Sequence, residues 1–146
     1  MDTATEPLES RIRASFARQT MLATLKATLD EVTEGRCVIS APLLPETRQQ
    51  HGAGHAGATF TLVDTAAGYA ALTLIPPGSE VMTAEMKINL LSPAIGERLI
   101  ATGEVVRAGR RLIVVRGEVL AEEAGRTRTI AIVQGTMIPV DPPAEP

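Results

Sequence analysis

One carboxylate stands inside the most apolar stretch of this chain. Asp64 lies within QQHGAGHAGATFTLVDTAAGYAALTLIPPG (Gln49 to Gly78), among Phe60, Leu62, Val63, Ala66 and Ala67. A carboxylate taken out of water is costly unless it is paired or hydrogen-bonded. Asp64 is therefore either neutralised structurally, by Thr61 or backbone donors, or kept for chemistry. Its surroundings favour chemistry. Gly52, Gly54 and Gly57 supply permissive backbone ahead of a run of good helix formers, and Pro76, Pro77 and Gly78 forbid continuation. The pattern predicts a helix from Ala56 to Leu74. Along it Gly57, Thr61, Asp64 and Gly68 are spaced by four, three and four residues, which puts them on one face. Three of the four are small, so a ligand has room to lie beside the carboxylate. The N–H groups of a helix start lack intrahelical partners and carry partial positive charge, so the loop from Gly54 to Gly57 suits a polarised carbonyl or an oxyanion. The chain thus sets an oxyanion site about two turns from a carboxylate.

At these residues the chain resembles the hotdog-fold acyl-CoA thioesterases of the phenylacetyl-CoA (PaaI-like) type. That family's mark is a His-Gly-Gly run entering a central helix with an acidic residue nine positions after the His; here His55-Ala56-Gly57 is followed by Asp64 at that spacing. The likeness continues through VMTAEMKINLLSPAIGERL (Val81 to Leu99), GEVVRAGRRLIVVRGEVL (Gly103 to Leu120) and the closing strand, covering about residues 10 to 139. Two departures stand out. Ala56 replaces the middle Gly, and Gln49 replaces the Asn that many members carry six residues before the His. Ala56 keeps its N–H, and Gln49 keeps an amide on a longer arm. The resemblance implies hydrolysis of acyl-CoA thioesters, with the Ala56 N–H and Gln49 polarising the carbonyl and Asp64 acting as general base or nucleophile. It also implies that Thr83 steadies the water, and that the site is composite, with Gln49 and the His55 loop of one subunit facing Asp64 of another.

Each of these residues also has a plainer reading. His55 can simply cap the helix, although it is read here as shaping the site. His51-x3-His55 in a loop without Cys or a paired carboxylate is a poor zinc set, so no metal and no cofactor are expected. Thr83 can be an ordinary strand residue. Arg107, Arg110 and Arg111 read as surface charge, with Arg110 kept as a weak candidate for CoA phosphate because guanidinium forks suit phosphate. Gly57, Thr61 and Gly68 are expected to line the substrate. Cys37, in RCVIS, looks like part of an ordinary strand. The glycines at 52, 54 and 57 form G-x-G-x-x-G, but they follow polar QQH and not a strand, so no dinucleotide site is read from them. No Gly-x-Ser-x-Gly is present, which disfavours an acyl-serine route. A non-catalytic acyl-CoA-binding module on the same fold is the alternative, and the retained Asp64 argues against it. A hydratase would need a paired Asp and His in another loop arrangement.

Composition sets the frame. A chain of 146 residues, 45% hydrophobic and 21% charged, has material for one core and one domain. Net charge of -3 and 2% aromatic residues give neither a basic surface for nucleic acid or anionic membrane nor a base-stacking platform. One cysteine and an N-terminus without a basic-then-apolar pattern point to a reducing cytoplasm. No apolar run reaches the length of a membrane span.

The positioning elements follow from patterning. Residues 1–7 and 140–146 are expected as disordered tails around a single domain at 8–139. Leu8 to Gln19 reads as an amphipathic helix with Ile12, Ser15, Phe16 and Gln19 on one side, and Thr24 to Leu44 as a hairpin turning at Glu34-Gly35. Val81 to Leu91 alternates, with Met82, Ala84, Met86, Ile88 and Leu90 on one face and Thr83, Glu85, Lys87 and Asn89 on the other. Breaks at Pro93–Gly96, Ala108-Gly109 and Ala124-Gly125 mark three further strands, expected as an antiparallel meander. One long helix, apolar nearly all round, with such a run of strands implies an α+β fold whose sheet wraps the helix. Ile113, Val115 and Val119 alternate with Leu112, Val114 and Leu120, so both faces of a strand carry apolar side chains. A lone sheet wet on one face would alternate more cleanly. A homo-oligomer, a dimer or a dimer of dimers, is therefore expected.

Overall fold

The computed structural model describes residues 7–141. The expected tails fall outside the described residues except for Pro7, Val140 and Asp141, and Val140 is the last residue of a strand. The long helix, α3, spans Ala56–Leu72, two residues short of the predicted end. The Leu74 and Ile75 N–H groups bond to Ala71 and Leu72 oxygens, tightening the exit before Pro76, which disfavours helical backbone at Ile75. Ahead of it come α1 (Leu8–Ala17) and a short α2 (Thr20–Thr24), then β1 (Thr28–Thr33), β2 (Arg36–Pro42) and a single 3-10 turn at Pro45–Thr47. After it come β3 (Glu80–Leu90), β4 (Arg98–Ala108), β5 (Ile113–Glu123) and β6 (Arg126–Val140). The sequence reading did not foresee α2, whose TMLAT carries neither a cap nor a full period of apolar residues. No described helix is long and apolar enough to cross a membrane.

The strands form one antiparallel sheet in the order β1-β2-β4-β5-β6-β3, and α3 lies across one face of it. The hairpin at Glu34-Gly35 is as expected, and the β5–β6 hairpin closes on Ala124 and Gly125, both at positive φ (50° and 76°), as a twist-matched two-residue turn requires. The meander needs correction. Of the four strands after α3, only β4, β5 and β6 run as sequential neighbours; the crossover through α3 carries β3 to the far edge, beside β6, and leaves β2 paired with β4. The extended run after α3 must span the helix to reach a free edge, which periodicity in β3 alone does not reveal.

Helix and sheet meet with almost no side chain between them at one point. A Cβ on Gly103 would lie 2.3 Å from the Ala67 nitrogen, so this glycine lets β4 touch the helix backbone. Ala66, Ala67, Ala70 and Ala71 are fully buried on the helix side, and Leu62, Val63, Leu99, Ala101, Val119 and Ile130 fill the core around them. The α1 helix covers one flank with Ile12, which is wholly buried. Gly103→Ala should lower stability by at least about 1–3 kcal/mol, the ordinary cost of overpacking a core. A shift of the urea midpoint at unchanged slope is the measurement; an unshifted midpoint would mean the helix can rise off the sheet freely.

Candidate active site

Most of α3 is buried, but Gly57, Thr61, Asp64, Thr65 and Gly68 keep partial or full access to solvent. The predicted face is thus the open one. Asp64 is half-buried in the single chain, and its Oδ1 accepts a 2.7 Å hydrogen bond from the Thr83 hydroxyl. Thr83 reaches it because β3 carries a bulge between Thr83 and Glu85. One extra residue, Ala84, inverts the alternation on either side of it. Thr83 therefore shares the helix-facing side with Val81, opposite buried Met137, whose sulfur lies 3.2 Å from the Thr83 hydroxyl. This corrects the sequence reading, which grouped Thr83 with Glu85, Lys87 and Asn89. Met82, by the same inversion, is 58% exposed.

The donors sit at the other end. His55 is the N-cap of α3: its Nδ1 accepts from the Gly57 N–H at 2.8 Å, which in a neutral imidazole leaves the proton on Nε2. That bond occupies the Gly57 N–H, while the Ala56 N–H has no intrachain partner among the described residues. The Gln49 side-chain oxygen accepts from the His51 N–H at 2.5 Å, which fixes the amide so that its NH2 remains available to donate. Gln49 and Ala56 line one cavity of about 380 Å³ with Ala53, Thr59, Pro93 and Ile130. Asp64 and Thr83 line another, of about 200 Å³, with Gly68, Tyr69, Ser15 and Gln19. The two do not share a lining residue. Eight residues of helix rise separate Ala56 from Asp64 by about 12 Å, too far for both to act on one carbonyl.

The remaining candidates divide similarly. Gly68 lines the Asp64 cavity; Thr61 spends its hydroxyl on the Gly57 carbonyl, 2.8 Å away, and with Gly57 lies outside both linings. Arg110 is exposed in the β4–β5 turn and lines neither. The sequence reading had no signal for Glu80, Val81 or Tyr69, which also line the Asp64 cavity, and it named Ser15 and Gln19 only as one side of a helix. Among the described residues no group of three His, Cys, Asp or Glu side chains is placed to hold a metal ion. Cys37 is fully buried, and burial pushes its thiol up from 9.0 to about 12, only weakly opposed by Arg13 and Arg36. A thiol whose folded pKa is raised stabilises the fold below its unfolded pKa, and that contribution is lost as pH rises through the folded value. Unfolding between pH 9 and 12 should therefore show a decline in stability that Cys37→Ala lacks. Native protein should also resist thiol reagents at pH 8 until unfolded; rapid native labelling would contradict the burial.

The arrangement has close counterparts. The sequence profile of the Thioesterase superfamily matches residues 51–127. A thioesterase family protein of Silicibacter pomeroyi is 39% identical and superposes with a TM-score of 0.91 over 93% of this chain and all of that one. Two further structures share the fold at lower identity. The E. coli PaaI protein from the phenylacetic acid degradation operon is 22% identical, with a TM-score of 0.82 over 91% of this chain and 93% of that one. The BH2602 protein of Bacillus halodurans, crystallised with CoA, is 24% identical, with a TM-score of 0.74 over 91% and 85%. The chain spans about three fifths of the length of the curated relatives it matches, among them a candidate esterase of Saccharolobus solfataricus, 34% identical over 85 residues.

Proposed function

Because this chain belongs to the thioesterase superfamily, we propose that it hydrolyses acyl-CoA thioesters to the free acid and CoA, at a site shared between two copies. The observation that carries the proposal is the Asp64–Thr83 pair on the open stripe of an otherwise buried helix, about 12 Å of helix away from the free Ala56 N–H. In this reading the thioester carbonyl accepts from the Ala56 N–H and the Gln49 amide of one copy. Asp64 of the other takes a proton from water as the water oxygen attacks the carbonyl carbon. Collapse of the tetrahedral intermediate breaks the C–S bond, and the thiolate recovers the proton. Direct attack by Asp64 would instead give a mixed anhydride that water then opens; both routes need the same two halves. Thr83 holds Asp64 Oδ1, leaving Oδ2 for the proton. Thioesters are activated acyl groups, so a carboxylate with preorganised donors is sufficient apparatus. The CoA complex of the Bacillus halodurans neighbour supports CoA as the carrier, and the single buried cysteine suits a reducing cytoplasm.

The assembly reading rests on the same strand that carries Thr83. β3 is a free edge of eleven residues, and a long unpaired edge is a template for another strand. Met82, Leu112 and Ile132 are also 58%, 57% and 43% exposed, so apolar surface remains to be covered. A dimer through β3, and a dimer of dimers through the outer sheet face, would meet both needs. Light scattering should give at least twice 15.4 kDa at micromolar concentration; a fully active monomer would remove the shared site.

Asp64→Asn, isosteric but unable to take a proton, should lower kcat roughly 100-fold or more with little change in KM, and Gln49→Ala about 10- to 1,000-fold. The decisive measurement mixes the two. In a hybrid of one Asp64→Asn and one Gln49→Ala subunit, a shared site leaves one of the two centres with both intact halves. Co-refolded mixtures should therefore recover activity that neither variant has alone. No recovery, with exchange verified by mass spectrometry, would place both halves on one chain and sink the shared arrangement.

A further inference from the structure

The cavity beside Asp64 is walled largely by polar groups that the proposed chemistry does not use. It lies between α1, α3 and the start of β3. Tyr69, only 5% exposed, accepts a hydrogen bond from Gln19 Nε2 at 2.7 Å and shares another with the Ser15 hydroxyl at 3.1 Å, while Phe16 packs against its ring. Gly68, one turn beyond Asp64 and without a side chain, leaves the way open between the carboxylate and this cluster. Gln19 Oε1 has no intrachain partner among the described residues, and Ser15 retains a lone pair. Glu80 lines the same space and forms no ion pair among the described residues; no Lys or Arg lines it. Unused acceptors and carboxylates therefore predominate.

We propose that this cleft selects acyl groups whose far end carries a hydrogen-bond donor, a hydroxyl above all, and that Ser15, Gln19 and Tyr69 determine that selectivity. The inference rests on the acyl-CoA reading above. An apolar acyl chain lying in the cleft strips water from Gln19, Ser15 and Glu80 without returning a bond. A hydroxyl returns it. A terminal carboxylate meets Glu80 before it can reach Arg11 and Arg18, which line an adjoining space of about 120 Å³ together with Glu80.

Hexanoyl-, ω-hydroxyhexanoyl- and adipoyl-CoA share a backbone and differ only at the far end. Free-thiol assays should give ω-hydroxyhexanoyl-CoA a kcat/KM about 5- to 10-fold above hexanoyl-CoA, the worth of one net hydrogen bond, with adipoyl-CoA lowest. In Gln19→Leu and in Tyr69→Phe the hydroxyhexanoyl-to-hexanoyl ratio should fall to about one, and that ratio is untouched by a mere loss of folded protein. Equal or greater turnover of hexanoyl-CoA by the wild type overturns the proposal while leaving thioester hydrolysis standing. Preference for adipoyl-CoA also overturns it and reassigns the cleft to Arg11 and Arg18. Hydrolysis of none of the three, nor of any acyl-CoA in a wider panel, removes the acyl-CoA reading and this one with it.

Discussion

Backbone contact between α3 and the sheet at Gly103 is the constraint on which the rest of the structure depends. With no Cβ there, β4 sits against the helix backbone, and Ala66, Ala67, Ala70 and Ala71 are fully buried on the helix side. A helix held this closely must be apolar almost all round. Whatever polar surface it keeps is confined to the side that the sheet leaves open. Asp64 lies on that side, between Thr61 and Gly68, and so remains reachable in a helix that is otherwise sequestered.

The same rigidity holds apart the two halves of the proposed site. The proposed backbone donor, the Ala56 N–H, belongs to the first turn of α3, and Asp64 lies two turns on; an unbroken α-helix cannot fold back to join them. The His55 cap sharpens the division of labour at the start. By engaging the Gly57 N–H it leaves the Ala56 N–H as the available donor, which is why alanine in place of the middle glycine costs the site no hydrogen-bonding group.

Much of this was legible in sequence because it rests on local signals. The Asp64 stripe, the glycine-rich entry and the Pro76-Pro77 exit follow from helical period and backbone propensity, and the β1–β2 turn at Glu34-Gly35 from turn chemistry. The edge position of β3 was not legible, since strand order is decided by a crossover around α3 and not by the strand's own residues. The sequence points to Thr83 as a site residue but sets it on the wrong face. Period-two reading carries straight through Ala84, whereas the bulge there inverts it, and nothing in TAEMK marks a bulge as glycine would. Tyr69, Ser15 and Gln19 escaped for a different reason. They meet across 50 and 54 residues of chain, and only the packing of α1 on α3 brings them together.

β3 carries two duties that bear on each other. It is the open edge of the sheet, and through its bulge it presents Thr83 to Asp64. In an isolated chain only β6 holds the strand, on one side, so the Thr83 hydroxyl is only as well placed as a singly paired edge allows. Pairing of β3 with another copy would restrain the bulge from its second side and bring up the partner's donors in the same event. Assembly and alignment of the carboxylate would then be one step. Under the proposed mechanism, a subunit would gain its preorganised base only in company with the groups that polarise the substrate.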